Sequence, residues 1–582
     1  MRDPDSNVVQ PYTQIQLDLQ RAVKEQLPDA DVSSVLVRVC PDPKFGDYQS
    51  NAIMSLAKGR KMNPRQLAGE ISARLRLDQL CRKVEVAGAG FLNFHLGTSA
   101  LAGALQSAAG ADALFFEKSA RPQTVVVDFS SPNVAKPMHV GHIRSTILGD
   151  CISRTLRLLG HSVISDNHIG DWGTQFGKLL VGWKLHLDGN ALRQDPIAEM
   201  ERLYKLINAQ TESDPSVLEA ARRELVRLQQ GDPENLRIWR EMISLSQVQF
   251  DAIYGRLGVR FDCTLGESFY NPQLEPLVND LVQKGIARES EGALAVFFED
   301  HPQLKAHPAL VRKSDGGFNY ATTDLATLQH RLQTWNPDQI VYVTDGRQQL
   351  HFQQVFAAFR KWFPHAGARL SHVWFGSILG EDGRPFKTRS GETVKLSDLL
   401  DEAEERALKV VTEKSPTLPE AERRNIARVI GIGAVKYADL LPNRQSDYVF
   451  SWDKMLALNG NTAPYLQYAY ARIRSIFRKG DLDEQSLGSV KVLLEASEEI
   501  ALARHLLNFG MILEAVIEDF RPNYLCNYLY ELAGRFTAFY ENCPVLKSEA
   551  GVRESRALLC HLTARVLRQG LEVLGIEVLE QM

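Results

Sequence analysis

Two histidines, His139 and His142, flank Val140-Gly141 where a short apolar β-branched run, TVVVDFS over residues 124–130, gives way to an amphipathic stretch. If the run is a buried strand, and the stretch from about Gly141 to Leu159 a helix ended by Gly160, both rings stand at a helix N-terminus. Unpaired N–H groups and the positive end of the dipole favour an anion there. A glycine at that point lets a bulky ring system approach the backbone. Paired imidazoles so placed can hydrogen-bond the α-phosphate and leaving pyrophosphate of a nucleotide as charge develops in an in-line displacement. Such catalysis is electrostatic and positional, with no covalent nucleophile from the protein. The intervening loop adds Ser130, Asn133 and Lys136. By itself, H-x-G-H also fits two surface histidines capping a helix.

Other clusters read two ways as well. Tyr465, Tyr468 and Tyr470 with Arg472 and Arg474 mix rings with cations, as single-stranded RNA requires when bases stack and phosphates meet charge. A helical core with tyrosine edges fits them equally. Lys58, Arg60, Lys61 and Arg65, and farther on Arg478 and Lys479, suit phosphates or a solvated helix face. The turn DNHIGDWGTQFG, starting at Asp166, follows from turn chemistry alone, although its place after a strand-like run favours support of a ligand. His168 within it has no second ligand at a metal-binding spacing. Asp324, in YATTD, reads on its own as a helix N-cap after Thr322-Thr323, and Tyr320 as core.

These residues need elements to hold them. The strand, loop and helix over 124–159, followed by the strand-like SVISDNHIGD, open a parallel α/β unit whose ligands collect at the carboxyl ends of its strands. From about Leu179 to Tyr254 a charged helical pattern, broken at DP, SDPS and GDPE, reads as an insertion. The second half of the unit is expected to resume at LAVFFE and to continue through QIVYVTDGRQQLHFQQVFAAFRKWF, a strand and a helix. At the front, NAIMSLAKGRKMNPRQLAGEISARL reads as helix, turn and helix, VEVAGAGFLNFHL as extended chain, and SAAGADALFFEKSARPQ as a linker. Beyond about residue 401 nearly everything is helical. Leu558, Leu559, Leu562, Val566, Leu567, Leu571 and Leu574 form one apolar stripe suited to a bundle core. The expected division is 1–113, 114–400 with an insertion at about 179–300, and 401–582.

Composition narrows the function classes. A chain of 582 residues exceeds the size at which one core keeps growing. With 44% hydrophobic and 24% charged residues it is no disordered chain. Seven scattered cysteines without a C-x-x-C pair argue against a disulfide scaffold or structural zinc. A net charge of −4 excludes indiscriminate nucleic-acid binding, but leaves room for a selective RNA enzyme with local basic surfaces. The start, MRDPDSNVVQPYTQ, lacks a charged-then-apolar leader, and no run of 18 apolar residues stands out, so a cytoplasmic protein without membrane attachment is expected.

The longer strings SSPNVAKPMHVGHIRSTILGD, DNHIGDWGTQFG, YATTDLA, TDGRQQLHF and GRPFKTRSGETVKLSDLL resemble, in order, the arginyl-tRNA synthetases of class I, whose H-I-G-H element matches residues 139–142. GDYQSNAIMSLAK and VEVAGAGFLNFHL resemble that family's additional N-terminal tRNA-contacting domain, and VKYADLLPNRQSDYVFSWDKMLALNGNTAPYLQYAYARIRSI resembles its anticodon-binding helical domain. The resemblance covers nearly the whole chain. It implies a Rossmann-like parallel-sheet catalytic domain with a helical insertion, an N-terminal α/β domain and a C-terminal helical bundle. It implies ATP-dependent activation of arginine to arginyl-adenylate, then transfer to the 3′-terminal adenosine of tRNA(Arg), with tRNA needed for activation. Magnesium would accompany ATP, and no protein-ligated metal is implied. The implied partners are tRNA(Arg), L-arginine and ATP, without DNA or membrane, and family habit implies a monomer.

The same resemblance distributes roles. Asp324 would pair with the guanidinium, whose planar donors suit a bidentate carboxylate. Asp128 would add a second negative charge, and Tyr320, four residues before Asp324, would bound the guanidinium. Gln348 and Asn133 would meet the backbone end of the amino acid, with Ser130 and His139 close by. Pro132, Asn133, Lys136, His139, Gly141 and His142 would line ATP. Tyr465, Tyr468, Arg472 and Arg474 would meet tRNA. Where the wider class carries K-M-S-K-S, the matching stretch reads Arg384-Pro385-Phe386-Lys387-Thr388-Arg389-Ser390, whose charges are Lys387 and Arg389. In arginyl enzymes with such a loop, a lysine before H-I-G-H, here Lys136, is implied to compensate. Three rivals stand beside this reading. A class I synthetase for another amino acid, such as cysteine, would lack the Asp324 and Asp128 pair. A binding or regulatory protein could keep the synthetase shell without catalysis, and a plain nucleotidyltransferase would leave the helical tail without a role.

Overall fold

The computed structural model describes residues 10–110, 114–387 and 393–582. Its chain forms two compact units, one of residues 120–456 and 574–576, the other of residues 1–119, 457–573 and 577–582.

The first unit contains a parallel five-stranded sheet: β1 (Thr124–Asp128), β2 (Ser162–Asn167), β3 (Cys263–Thr264), β4 (Gln339–Tyr342) and β5 (Arg369–His372), in spatial order β5-β4-β1-β2-β3. Parallel strands are covered on both faces, which is why β1 and β4 read as unbroken apolar runs. From the central β1–β4 pair, β2 and β3 extend to one side and β5 to the other. The switch point therefore lies between β1 and β4, where such sheets open a crevice beyond their carboxyl ends. In that last row Tyr342 stands opposite Asp128, and Asp128 opposite Asp166. Helices α1 (Val140–Leu158), α2 (Tyr320–Trp335) and α3 (Gln349–Trp362) belong to this layered core, in which Val126, Leu325, Leu328, Ile340, Val355 and Phe359 are fully buried together.

Helices Pro196–Ser213, Pro215–Gln229 and Pro233–Leu257 of the insertion all begin with Asp-Pro. The Asp195, Asp214 and Asp232 carboxylates accept first-turn N–H groups, while each proline occupies a position with no N–H to satisfy. The reading of LAVFFE as the return to the parallel sheet is corrected here. Ala293–Val296 is the middle strand of a separate antiparallel sheet with Ala287–Ser290 and Ala309–Arg312. Its two-residue turn, Glu291-Gly292 with φ of 55° and 78°, makes a hairpin, which period-two patterning alone does not distinguish from a parallel strand. Helices α4 (Leu396–Lys414) and α5 (Glu420–Leu440) also pack within this unit.

The second unit combines a four-stranded antiparallel sheet (Arg38–Val39, Tyr48–Ser50, Phe91–Leu96, Cys81–Ala87) with helices Pro11–Gln26, Ala52–Arg60, Pro64–Ser72 and Thr98–Gly110. Later in the chain follow α6 (Ala463–Gly480), α7 (Ser497–Leu506), α8 (Phe509–Asp519), α9 (Asn523–Asn542) and α10 (Val552–Val573). The expected linker is partly the end of helix Thr98–Gly110, and its Leu114, Phe115 and Phe116 are buried because three large apolar side chains do not stay in water. The two ends of the chain meet inside this unit. Tyr12 Oη donates to Glu514 (2.9 Å), and Gly510 leaves room for the Phe115 carbonyl, which would be 2.4 Å from a Cβ. The stretch Ser497–Asp519 is apolar enough to cross a membrane by length and composition, with mean hydropathy 1.5. It is two helices, however, and Leu502, Leu506, Leu513 and Val516 are fully buried in the bundle.

Candidate active site

The loop leaving β1 has a costly backbone. Ser130, Ser131 and Ala135 adopt φ of 74°, 49° and 61°, the left-handed region that costs a side-chain-bearing residue about 1–2 kcal/mol. Hydrogen bonds hold it there: Ser130 N–H to Ser145 Oγ (2.8 Å), Ser131 N–H to Asn167 Oδ1 (3.1 Å), Ala135 N–H to Ser246 Oγ (2.9 Å) and Gly170 N–H to Pro132 O (3.0 Å). A Cβ on Gly170 would fall 2.2 Å from Asn133 Oδ1, so the DNHIGD turn braces the loop at close range. Asn133 is left exposed and Pro132 buried. The Ser130 hydroxyl is buried, receives Thr146 Oγ1 (2.8 Å) and hydrogen-bonds Tyr254 Oη (2.8 Å). These bonds shape the loop from inside.

His139 is the N-cap of α1. Its Nδ1 accepts Gly141 N–H (3.0 Å), His142 Nδ1 accepts His139 N–H (3.1 Å), and the ring centroids lie 4.0 Å apart. With both Nδ1 atoms accepting, the neutral rings carry their protons on Nε2. Burial, then Lys136 and Arg347, holds His139 below its usual value, while burial and His139 push His142 down to about 3. At pH 7 the pair is two neutral N–H donors. A Cβ on Gly141 would stand 2.8 Å from His139 Cε1, so the glycine makes space for the ring. Lys136 is half-buried with Nζ 5.2 Å from the Tyr204 ring centroid. The chain returns to this corner after residue 392, where Val140 N–H donates to Val394 O (3.0 Å) and Leu396 N–H to Met138 O (2.9 Å). Lys387 is exposed, bridged to Thr393, and follows Phe386, which stacks on Phe450 at 4.7 Å. Arg389 lies outside the described residues.

Asp324 stands one turn into α2, whose N-cap is Asn319, and its Oδ2 meets His351 Nε2 at 2.5 Å. Burial lowers the His351 pKa, but the hydrogen bond and charge of Asp324 outweigh it and raise it above the usual value. Glu267, first residue of helix Glu267–Gln283, is pushed up to about 8 by burial and by the charges of Asp324 and Asp171. Such a carboxyl is mostly protonated at pH 7 and ionises when a cation arrives. Tyr320 is 74% exposed on the first turn of α2, and Gln348 is exposed on the turn Gly346–Gln348. Residues 345–351 connect the two groups: the Arg347 charge acts on His139, and His351, four residues on, holds Asp324. Asp128 is paired inside, between the sheet and α2. It is 4% exposed, its Oδ2 binds Arg331 Nη2 (2.5 Å), which also binds Asp166 (2.7 Å), and its Oδ1 accepts Ser131 Oγ (3.1 Å). Its charge is compensated from within, and the uncompensated second acid beside Asp324 is Glu267. The signal for Glu267 was its place three residues beyond Thr264, the carboxyl end of β3.

On α6, Tyr468 is 46% exposed and Arg472 lies 4.8 Å over the Tyr540 ring. Both line a cavity of about 720 Å³ with Arg478, Lys479 and Lys547. Arg474 is instead held by Glu580 (2.8 Å) and Glu484 (2.7 Å), and Tyr465 packs edge-on against Tyr530. Tyr470 is core, its hydroxyl bound to Glu580. In the front sheet's helices Lys58, Lys61 and Arg65 are exposed, while Arg60 pairs with Asp29 (2.7 Å).

Comparison with known proteins agrees along the chain. Residues 104–452 match the family model for the class I (R) tRNA synthetase catalytic domain, residues 466–582 the DALR anticodon binding domain, and residues 13–96 the arginyl-tRNA synthetase N-terminal domain. Proteins named arginine--tRNA ligase from Salmonella arizonae and Citrobacter koseri are each 46% identical over 553 residues, spanning 94% of this chain and 95% of their own. The arginyl-tRNA synthetase structure from Thermus thermophilus superposes with a TM-score of 0.85 at 27% identity, over 98% of this chain and all of that one. The Plasmodium falciparum structure does so at 0.82 and 30%, over 98% and 99%. The chain belongs to the arginyl-tRNA synthetase family of class I.

Proposed function

We propose that the protein is an arginine–tRNA ligase whose activation chemistry takes place at the β1–β4 switch point. An oxygen of the arginine carboxylate attacks the ATP α-phosphorus, the bond to the bridging oxygen breaks, and pyrophosphate leaves with the electron pair. His139 and His142, the H-I-G-H histidines, donate from Nε2 to phosphate oxygens, and the N-terminus of α1 adds its dipole. Lys136 and Lys387 supply positive charge, with Arg389 assigned to the same loop by its sequence alone. Magnesium enters with ATP as part of that substrate. A ribose hydroxyl of the terminal adenosine then attacks the arginyl carbonyl, and AMP departs.

The observation that carries the choice of amino acid is the acid pair. Asp324 holds His351, and Glu267 stays protonated beside it until a guanidinium displaces that proton. Tyr320 closes over the guanidinium, and Asn133 and Gln348 take the amino and carboxylate end. The cavity of Tyr468, Arg472 and Tyr540 receives an anticodon base. Residues 1–113 serve as a tRNA-contacting segment, 114–400 as the catalytic domain and 401–582 as the anticodon-binding domain, although the packing of α4 and α5 favours starting the last nearer residue 457. The protein acts as a cytoplasmic monomer and needs tRNA for activation. Aminoacylation of purified tRNA with each of the twenty amino acids tests the reading, and a charged product with any amino acid but arginine overturns it. Pyrophosphate exchange with and without tRNA tests the activation requirement, which full exchange without tRNA refutes.

A further inference from the structure

One face of the inserted helix Pro196–Ser213 collects lysines from elsewhere in the unit. Glu201, Tyr204 and Asn208, at spacings of three and four, share that face. Glu201 Oε2 stands 3.8 Å from Lys395 Nζ, the Tyr204 ring centroid is 5.2 Å from Lys136 Nζ and 5.9 Å from Lys178 Nζ, and Asn208 Oδ1 accepts Lys178 Nζ at 2.7 Å. Lys395 lies in the segment paired with His139. Three ammonium groups thus surround one helix face beside the imidazole pair. Of these three lysines, among the described residues only Lys395 has a carboxylate partner, at the outer edge of ion-pair distance, and that partner, Glu201, is held more closely by Lys205 (2.9 Å).

The choice of a ring for this position has a physical consequence. A carboxylate in place of Tyr204 would cancel the Lys136 charge, and an aliphatic side chain would leave its four-carbon arm to sample many rotamers. An aromatic face attracts the ammonium through its quadrupole and leaves the full positive charge available to an anion.

We propose that Tyr204 is a positioning residue for Lys136, holding the ammonium ready for the ATP phosphates, so that the insertion takes part in activation without touching substrate. This rests on the reading of Lys136 as a phosphate cation. Lys178 and Lys395 keep the local potential positive and deepen the attraction.

The test is pyrophosphate exchange with tRNA present, titrating ATP and arginine separately, on Tyr204→Leu, Tyr204→Phe, Lys136→Ala and the double variant Lys136→Ala/Tyr204→Leu. Tyr204→Leu is expected to raise KM for ATP about tenfold, with KM for arginine little changed, and Tyr204→Phe, which keeps the ring face, to recover most of the loss. In the Lys136→Ala background, Tyr204→Leu adds nothing, because its effect passes through Lys136. If Tyr204→Leu raises both KM values alike, or costs as much without Lys136 as with it, Tyr204 merely packs the insertion and the proposal is overturned. Exchange unchanged in Lys136→Ala would refute the reading of Lys136 itself, and the role of Tyr204 with it.

Discussion

In the proposed arginine site, Glu267 ties the choice of substrate to pH. Its pKa, pushed up to about 8 by burial and neighbouring carboxylates, falls when a guanidinium arrives, so arginine binding at pH 7 should release a proton. The sign follows directly: below 8 the free carboxyl is protonated and must ionise, while above 8 it is already ionised and the release fades. Calorimetry in buffers of different ionisation enthalpy measures this, and arginine affinity should rise from pH 6.5 to 8.5. Glu267→Gln should abolish both effects and weaken arginine binding about 10- to 100-fold, as expected for a lost charged hydrogen bond. Gly141→Ala acts at another residue. With a Cβ 2.8 Å from His139 Cε1, the ring must move, so kcat/KM for exchange should fall about a hundredfold or more, the loss of one transition-state donor, while the melting temperature stays near that of the parent. The candidate roles of His139, Gly141, His142, Asp324 and Tyr320 come from short strings that carry their surroundings with them, and the structure adds the helix starts on which these residues stand. The inward turn of Ser130 and the internal pairing of Asp128 were not legible, since both depend on partners far along the chain, Tyr254 and Arg331.

Among the elements, α2 does two jobs. Its first turns carry Tyr320 and Asp324, and Arg331 near its end locks the facing carboxylates of Asp128 on β1 and Asp166 on β2. Arg331→Met leaves Asp128 and Asp166 buried without their cation. The expected cost is about 3–5 kcal/mol, read from urea unfolding of the whole chain. Elements with strong local signals were readable: β1 and α1 from apolar run and amphipathic helix, and the inserted helices from their Asp-Pro starts. The antiparallel hairpin at 287–296 was misjudged because a four-residue apolar strand looks the same in either kind of sheet, and pairing is decided by the turn that joins it to its neighbour.

At the scale of the molecule, the cavity proposed to read tRNA and the site proposed for activation belong to separate compact units, so damage to one should spare the other. Tyr540→Ala or Arg472→Ala should raise KM for tRNA about tenfold or more by removing a stacking face or its cation, with arginine and ATP constants unchanged at saturating tRNA. Arg474→Ala, whose charge Glu484 and Glu580 already satisfy, should leave the tRNA constant within about twofold, the small effect usual when a neutralised charge is removed. The helical character of the carboxyl half was plain from its periodicity. That the first 119 residues share a unit with it was not, because no local pattern records a contact between Tyr12 and Glu514. That shared unit has a bearing on synthesis. A nascent chain leaving the ribosome cannot close its front module against the partners it lacks until residues beyond 510 have emerged, by which time the parallel-sheet unit, save residues 574–576, is already out and free to begin folding. Birth order and folding order are therefore reversed for the amino terminus, which waits as an unfinished surface while the middle of the polypeptide matures.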